Sequence, residues 1–158
     1  MSASSSTLSK SLSLQPGIFQ VDEELTKISE CRVTVVNIYV CARPIEGKNG
    51  ATVPKIEHEY LLLDVKLKSG QHDDLIRIKA EKYGSSGTLG DRAGIHVTRP
   101  LKIHDEAESA IMRSSKRGEI LMKDLIKTLT DHTPNYQLLS QNCMDYARDT
   151  FHKLRKLF

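Results

Sequence analysis

One cysteine and one histidine carry most of the chemistry this sequence offers. Cys143 stands where the run YQLLSQNCMDYARDTFHKLRKLF, Tyr136 to Phe158, passes from a short strand through a sharp turn into a helix. Met144, Ala147, Phe151, Leu154 and Phe158 follow at helical spacing and make one apolar stripe. On a helical wheel Cys143 falls about 40° from Ala147, at the rim of that stripe. A thiol at a helix N-terminus meets unpaired N–H groups and the positive end of the helix dipole. That setting lowers a thiol pKa and favours the thiolate, which is the nucleophile.

A cysteine nucleophile needs a base within hydrogen-bond reach. Of the six histidines, His58 opens the strand EHEYLLLDV just after a loop. A residue there sits at a sheet edge on rigid backbone and can face a helix terminus. The hairpin partner returns Gln71 and His72 near the strand end, and one of these is expected to orient His58 as the third member of a Cys–His–polar arrangement. Asp73 and Asp74 are close in sequence. His96, His104, His132 and His152 have no constellation around them and read as structural or exposed. Cys143, His58 and His72 match no compact ligand spacing for zinc, so no metal or cofactor is called for.

A histidine opening a strand, a hairpin and a late Asn142-Cys143 at a helix start together resemble the circularly permuted papain-like cysteine hydrolases. That superfamily includes relatives of lecithin:retinol acyltransferase, PPPDE-type peptidases and permuted cell-wall peptidases, in which histidine precedes cysteine. The matching segment is Tyr136 to Cys143 followed by Tyr146 and Ala147, with Tyr146 in the aromatic place of an NC-x-x-aromatic helix start. Glu59 stands where an aromatic residue often follows the family histidine. The resemblance covers residues 32 to 158. It implies Cys143 as nucleophile, His58 as general base and acid, His72 or Gln71 as the orienting group, and the Cys143 N–H as an oxyanion donor. The implied activity is a hydrolase or acyltransferase acting on an amide, isopeptide, thioester or ester through an acyl-thioester. The substrate would be a protein or another acyl-bearing molecule. The rival reading is an inactive interaction module that keeps the fold and binds a protein partner.

These residues need a frame. Residues 1–16 hold seven serines and few large apolar groups, and are expected to be a disordered tail. Residues 17–158 read as a single α+β domain, an antiparallel sheet packed against helices with the nucleophile at the N-terminus of the last helix. Val21 to Ser29 reads as a short helix. Arg32 to Ala42 is β-branched and apolar on both faces, a central strand; Arg43 to Lys55 reads as a loop. Ile56–Leu67 and Leu75–Tyr83 make an antiparallel hairpin, with Ile76, Ile78 and Ala80 buried against a wet face of Arg77, Lys79 and Glu81. Gly84 to Gly94 holds four of the nine glycines and reads as a surface loop. Ile95 to Ile103 is a further strand. Asp105 to Gly118 carries helix punctuation, with Asp105 as cap, Glu108 three later and Gly118 as stop. Glu119 to Asp131 reads as a second helix, with Met122, Leu125, Ile126 and Leu129 on one face. Tyr136 to Ser140 reads as an edge strand.

Composition narrows the function classes. A 158-residue chain with 39% hydrophobic and 27% charged residues is an ordinary globular domain. A net charge of +3 argues against nucleic acid as partner. His152, Lys153, Arg155 and Lys156 read as the solvated face of the last helix. Three cysteines without a CxxC pair argue against a disulfide framework or a zinc ribbon. No apolar run reaches the roughly 18 residues of a membrane span, and the N-terminus is a poor secretory signal, so a cytoplasmic location is the expectation.

Overall fold

The structure, a computed structural model, describes residues 19–46, 52–69, 72–84, 93–100, 110–132 and 143–158. The tail at 1–16, Gln71, Asn142, most of the Gly-rich stretch and the expected strand at Tyr136–Ser140 lie outside the described residues.

Among the described residues, seven strands form one sheet: β1 (Phe19–Val21), β2 (Arg32–Glu46), β3 (Thr52–Ser69), β4 (His72–Gly84), β5 (Ala93–Thr98), β6 (Met112–Ser114) and β7 (Gly118–Leu121). Their order is β1-β5-β4-β3-β2-β6, and β7 shares the outer edge of β2 with β6. Every pairing is antiparallel except β1 with β5. The helices are α1 (Glu23–Lys27), α2 (Met122–Thr130) and α3 (Cys143–Leu157). The chain is therefore a mixed α+β structure, a mostly antiparallel open sheet packed with helices.

The β-branched run of β2 makes it an inner strand. Val33, Val35, Ile38 and Val40 face the main core with Leu61, Leu63, Val65, Ile78, Ala80, Ile95 and Val97 from the other strands. The helices cover this face. Asp22 caps α1, its carboxylate accepting from the Glu24 N–H at 2.8 Å. From α2 come Met122, Leu125, Ile126 and Leu129, the expected apolar face. From α3 come Tyr146, Ala147, Phe151 and Leu154. The α3 stripe is rotated from its expected position: Met144 is exposed, while Cys143, Tyr146 and Thr150 are buried.

Four elements differ from what the sequence leads one to expect. The expected helix from Asp105 to Gly118 is not formed at its described end, where Met112–Ser114 is β6 against β2. Gly118 is no helix stop; it lies in β7 opposite Val35, and a Cβ there would run into the Phe158 ring. The second helix starts at Met122, since Glu119 to Leu121 belong to β7. The presumed loop after Ala42 is partly strand, with β2 running to Glu46 and β3 starting at Thr52.

The second face of the sheet is not wet either. Cys41, Tyr60 and Leu62 form a small buried cluster there, with Tyr39 and Ala110 against it. Arg77 and Lys79 lie over the rings of Tyr39 and Tyr60, and their side chains are only 16% and 15% exposed. Asp64 collects Asn37, Tyr39 and Arg77 at 3.1, 3.1 and 2.9 Å. Cation–π contact and ion pairing bury the charged residues of this face.

Candidate functional site

The β3–β4 ladder runs from Ser69–His72 at the turn to Leu61–Ala80. Past that point the two strands keep other partners: His58 to Tyr60 pair with β2, and Glu81 to Gly84 pair with β5. His58 and Glu81 thus flank the end of a ladder. Helix α3 packs over β3 and β4.

Cys143 is the first residue of α3 and is 5% exposed. Its side chain is hydrogen-bonded to His58, which is 8% exposed. His58 Nε2 lies 3.0 Å from Glu81 Oε1, and its ring stacks near Tyr60 with centroids 6.0 Å apart. Burial pulls the His58 pKa down. The hydrogen bonds to Cys143 and Glu81, and the negative charge of both, outweigh it, and the net shift is upward from 6.5. Glu81 in turn sits 3.3 Å from Arg43 Nη2 and 3.8 Å from Lys79 Nζ. These two cations partly compensate the charge of a carboxylate in a buried place.

Two of the four expected site residues therefore meet, Cys143 and His58. His72 does not join them. It pairs with Ser69, eleven positions along β3 from His58, about 36 Å of extended chain. The reason is topological: a hairpin brings its turn-flanking residues together, and His58 lies at the other end of its strand. Gln71 is outside the described residues. The residue on the imidazole is Glu81, which the alternation of β4 had placed among solvent-facing charges. The antiparallel register itself was the signal, since a residue near the start of β3 has its β4 neighbours near the end of β4.

A second polar pair lies on the helix side of β4. Lys82 is fully buried and its Nζ is 2.7 Å from His132 Nδ1. Burial depresses the Lys82 pKa from 10.5 to about 8, partly offset by Asp145. Tyr146, the aromatic residue of the cysteine motif, donates its hydroxyl hydrogen to the Leu129 carbonyl and ties α3 to the end of α2. At the far end of α3, Lys116, His152, Arg155 and Lys156 line a surface hollow of about 560 Å³. Lys116 Nζ donates to the Arg155 carbonyl at 3.1 Å, as cations do at helix C-termini.

Among the described residues, no cluster of three or more His, Cys, Asp or Glu side chains could hold a metal ion. Among the same residues, no helix is long and apolar enough to cross a membrane. No protein-family model, curated protein or solved structure matches the chain.

Proposed function

We propose that the protein is a cysteine-dependent hydrolase or acyltransferase of permuted papain-like type. The observation that carries this reading is the hydrogen bond between Cys143 and His58 at the first turn of α3. Glu81 on His58 Nε2 supplies the orienting group that the chemistry requires.

With Nε2 engaged by Glu81, Nδ1 is the nitrogen left to exchange a proton with sulfur. His58 takes the thiol proton and Cys143 sulfur attacks the acyl carbon. The carbonyl oxygen becomes an oxyanion beside the N–H groups of the first turn, where each well-aimed donor lowers the barrier by about 3 kcal/mol. The C–X bond to the leaving group then breaks, and His58 gives its proton to that group. The acyl-thioester remains on Cys143. Water, deprotonated by His58, attacks the thioester carbon. The C–S bond breaks, the acid leaves, and the Cys143 sulfur pairs with the protonated His58 or regains the proton from it. Attack by another acceptor in place of water completes a transfer. Glu81 keeps the ring oriented and stabilises the imidazolium through both halves.

An electrophilic acyl-mimic probe tests this. Labelling is expected at Cys143 and not at Cys41, and is expected to vanish in Cys143→Ala and to fall strongly in His58→Ala. A native protein in which Cys143 takes no label, and in which no acyl adduct appears by intact mass, would overturn the reading and favour the interaction module.

A further inference from the structure

The residue after His58 is acidic, and its carboxylate is buried. Glu59 is 2% exposed, and both of its oxygens are taken by one side chain: Arg148 Nε and Nη2 donate at 2.9 and 3.0 Å. Such a fork-to-carboxylate pair fixes direction as well as distance. Arg148 lies five residues after Cys143 on α3, about 7.5 Å along the helix. Glu59 is bonded directly to His58. We propose that the Glu59–Arg148 pair is a positioning clamp that sets the separation of Cys143 and His58; this inference rests on the reading of those two residues given above.

The local topology shows why a clamp acts here. The β3–β4 ladder stops at Leu61, so residues 58–60 are held in the sheet by β2 along one edge. Helix α3 packs against β3, and Arg148 reaches Glu59 from it. Strand alternation turns Glu59 and His58 to opposite sides of β3. The pair therefore does not touch the imidazole; it fixes the rotation of the β3 backbone that carries it and the slide of the helix that carries the sulfur. Arg148 remains partly open to water, with its side chain 46% exposed, while Glu59 is sealed in. An unpaired carboxylate at that depth is costly, so the helix is held to this register.

The test reads the thiol itself and needs no substrate. Alkylation of Cys143 by iodoacetamide in the full chain is followed by mass spectrometry from about pH 5 to 9, spanning the ordinary histidine and thiol titrations. The native protein is expected to show a reactive component below neutral pH, from thiolate paired with imidazolium, that is missing in His58→Ala. In Arg148→Lys and Glu59→Gln that component is expected to fall roughly tenfold to a hundredfold, the scale on which a displacement of about 1 Å costs a reacting pair. The residual rate should follow an ordinary thiol near 8.5, with circular dichroism unchanged. Arg148→Lys keeps the charge and loses only the fork, so it carries the test if Glu59→Gln does not fold. A folded variant with the native low-pH rate overturns the clamp, and failure of both variants to fold reduces the pair to a stability element and also overturns it. The two failures separate cleanly. A native profile equal to that of His58→Ala removes the Cys–His reading itself, whereas a native low-pH component that survives in the folded clamp variants removes only the clamp.

Discussion

At the scale of single residues, two buried titrating groups make pH predictions of opposite sign. His58 has a raised pKa in the folded chain, from burial overcome by Cys143 and Glu81. Its contribution to stability is fully present below its unfolded value of about 6.5. It is lost as pH rises through the folded value, because the native state then gives up the proton that it bound more tightly. The urea midpoint of the native protein relative to His58→Gln should therefore fall as pH is raised through that range, and a difference that is flat in pH would contradict the assignment. Glu81→Gln should lower the His58 pKa, read from its imidazole proton resonances, because it removes a charge and a hydrogen bond from Nε2. Lys82 works the other way. Burial holds its folded pKa at about 8 against 10.5, so the unfolded chain binds more protons between those values and stability rises with pH across that window. Lys82→Met should lose this rise, measured as the slope of unfolding free energy against pH.

At the scale of elements, helix α3 is held by features that single substitutions can test. The Tyr146 hydroxyl satisfies the Leu129 carbonyl, one of the last in α2, where carbonyls lack intrahelical partners. Tyr146→Phe should cost about 1–3 kcal/mol by leaving that acceptor unpaired in the core. Thr150 Oγ1 is buried with no hydrogen-bond partner among the described residues, so Thr150→Val should be neutral or stabilising, by up to about 1 kcal/mol. Gly118→Val should be destabilising by about 1–3 kcal/mol, because its side chain would claim the space of the Phe158 ring. Thermal or urea unfolding of the three variants ranks these effects, and a reversed order for Thr150→Val and Gly118→Val would contradict the packing described. The same elements show where sequence patterns carry information. Long strands and the α2 and α3 stripes announce themselves by period. Met112–Ser114 and Gly118–Leu121 do not: three and four residues are too few for alternation to register, and the capping and charge pattern around them mimics a helix. They become strands because β2 offers an unpaired edge, a tertiary fact that no local pattern contains.

At the scale of the whole molecule, the candidate site belongs to no single element. Its members come from the start of β3, the end of β4 and the start of α3, and meet because one ladder ends between them. The cysteine and histidine were legible because each has a local signature, a helix start and a strand start. Glu81 was not, because its role depends on which face is covered and on register across a hairpin. A site assembled from distant segments is only as stable as the weakest contact between them. The three free cysteines report on that directly: Cys41 is sealed in the second face of the sheet, Cys143 is buried at the first turn of α3, and Cys31 is partly exposed. Helix α3 contributes Tyr146, Ala147, Phe151 and Leu154 to the same core as β2, β3 and β4. Peeling it away would expose these four side chains and the strand residues they cover, so it should not open alone. Under increasing urea, Cys41 should become reactive to a bulky thiol reagent and Cys143 should lose its native low-pH reactivity with the same midpoint and slope, coincident with loss of far-ultraviolet circular dichroism, while Cys31 reacts earlier. A Cys143 transition at clearly lower urea with a smaller slope would instead make α3 a separately opening unit, and the site would then be assembled only part of the time.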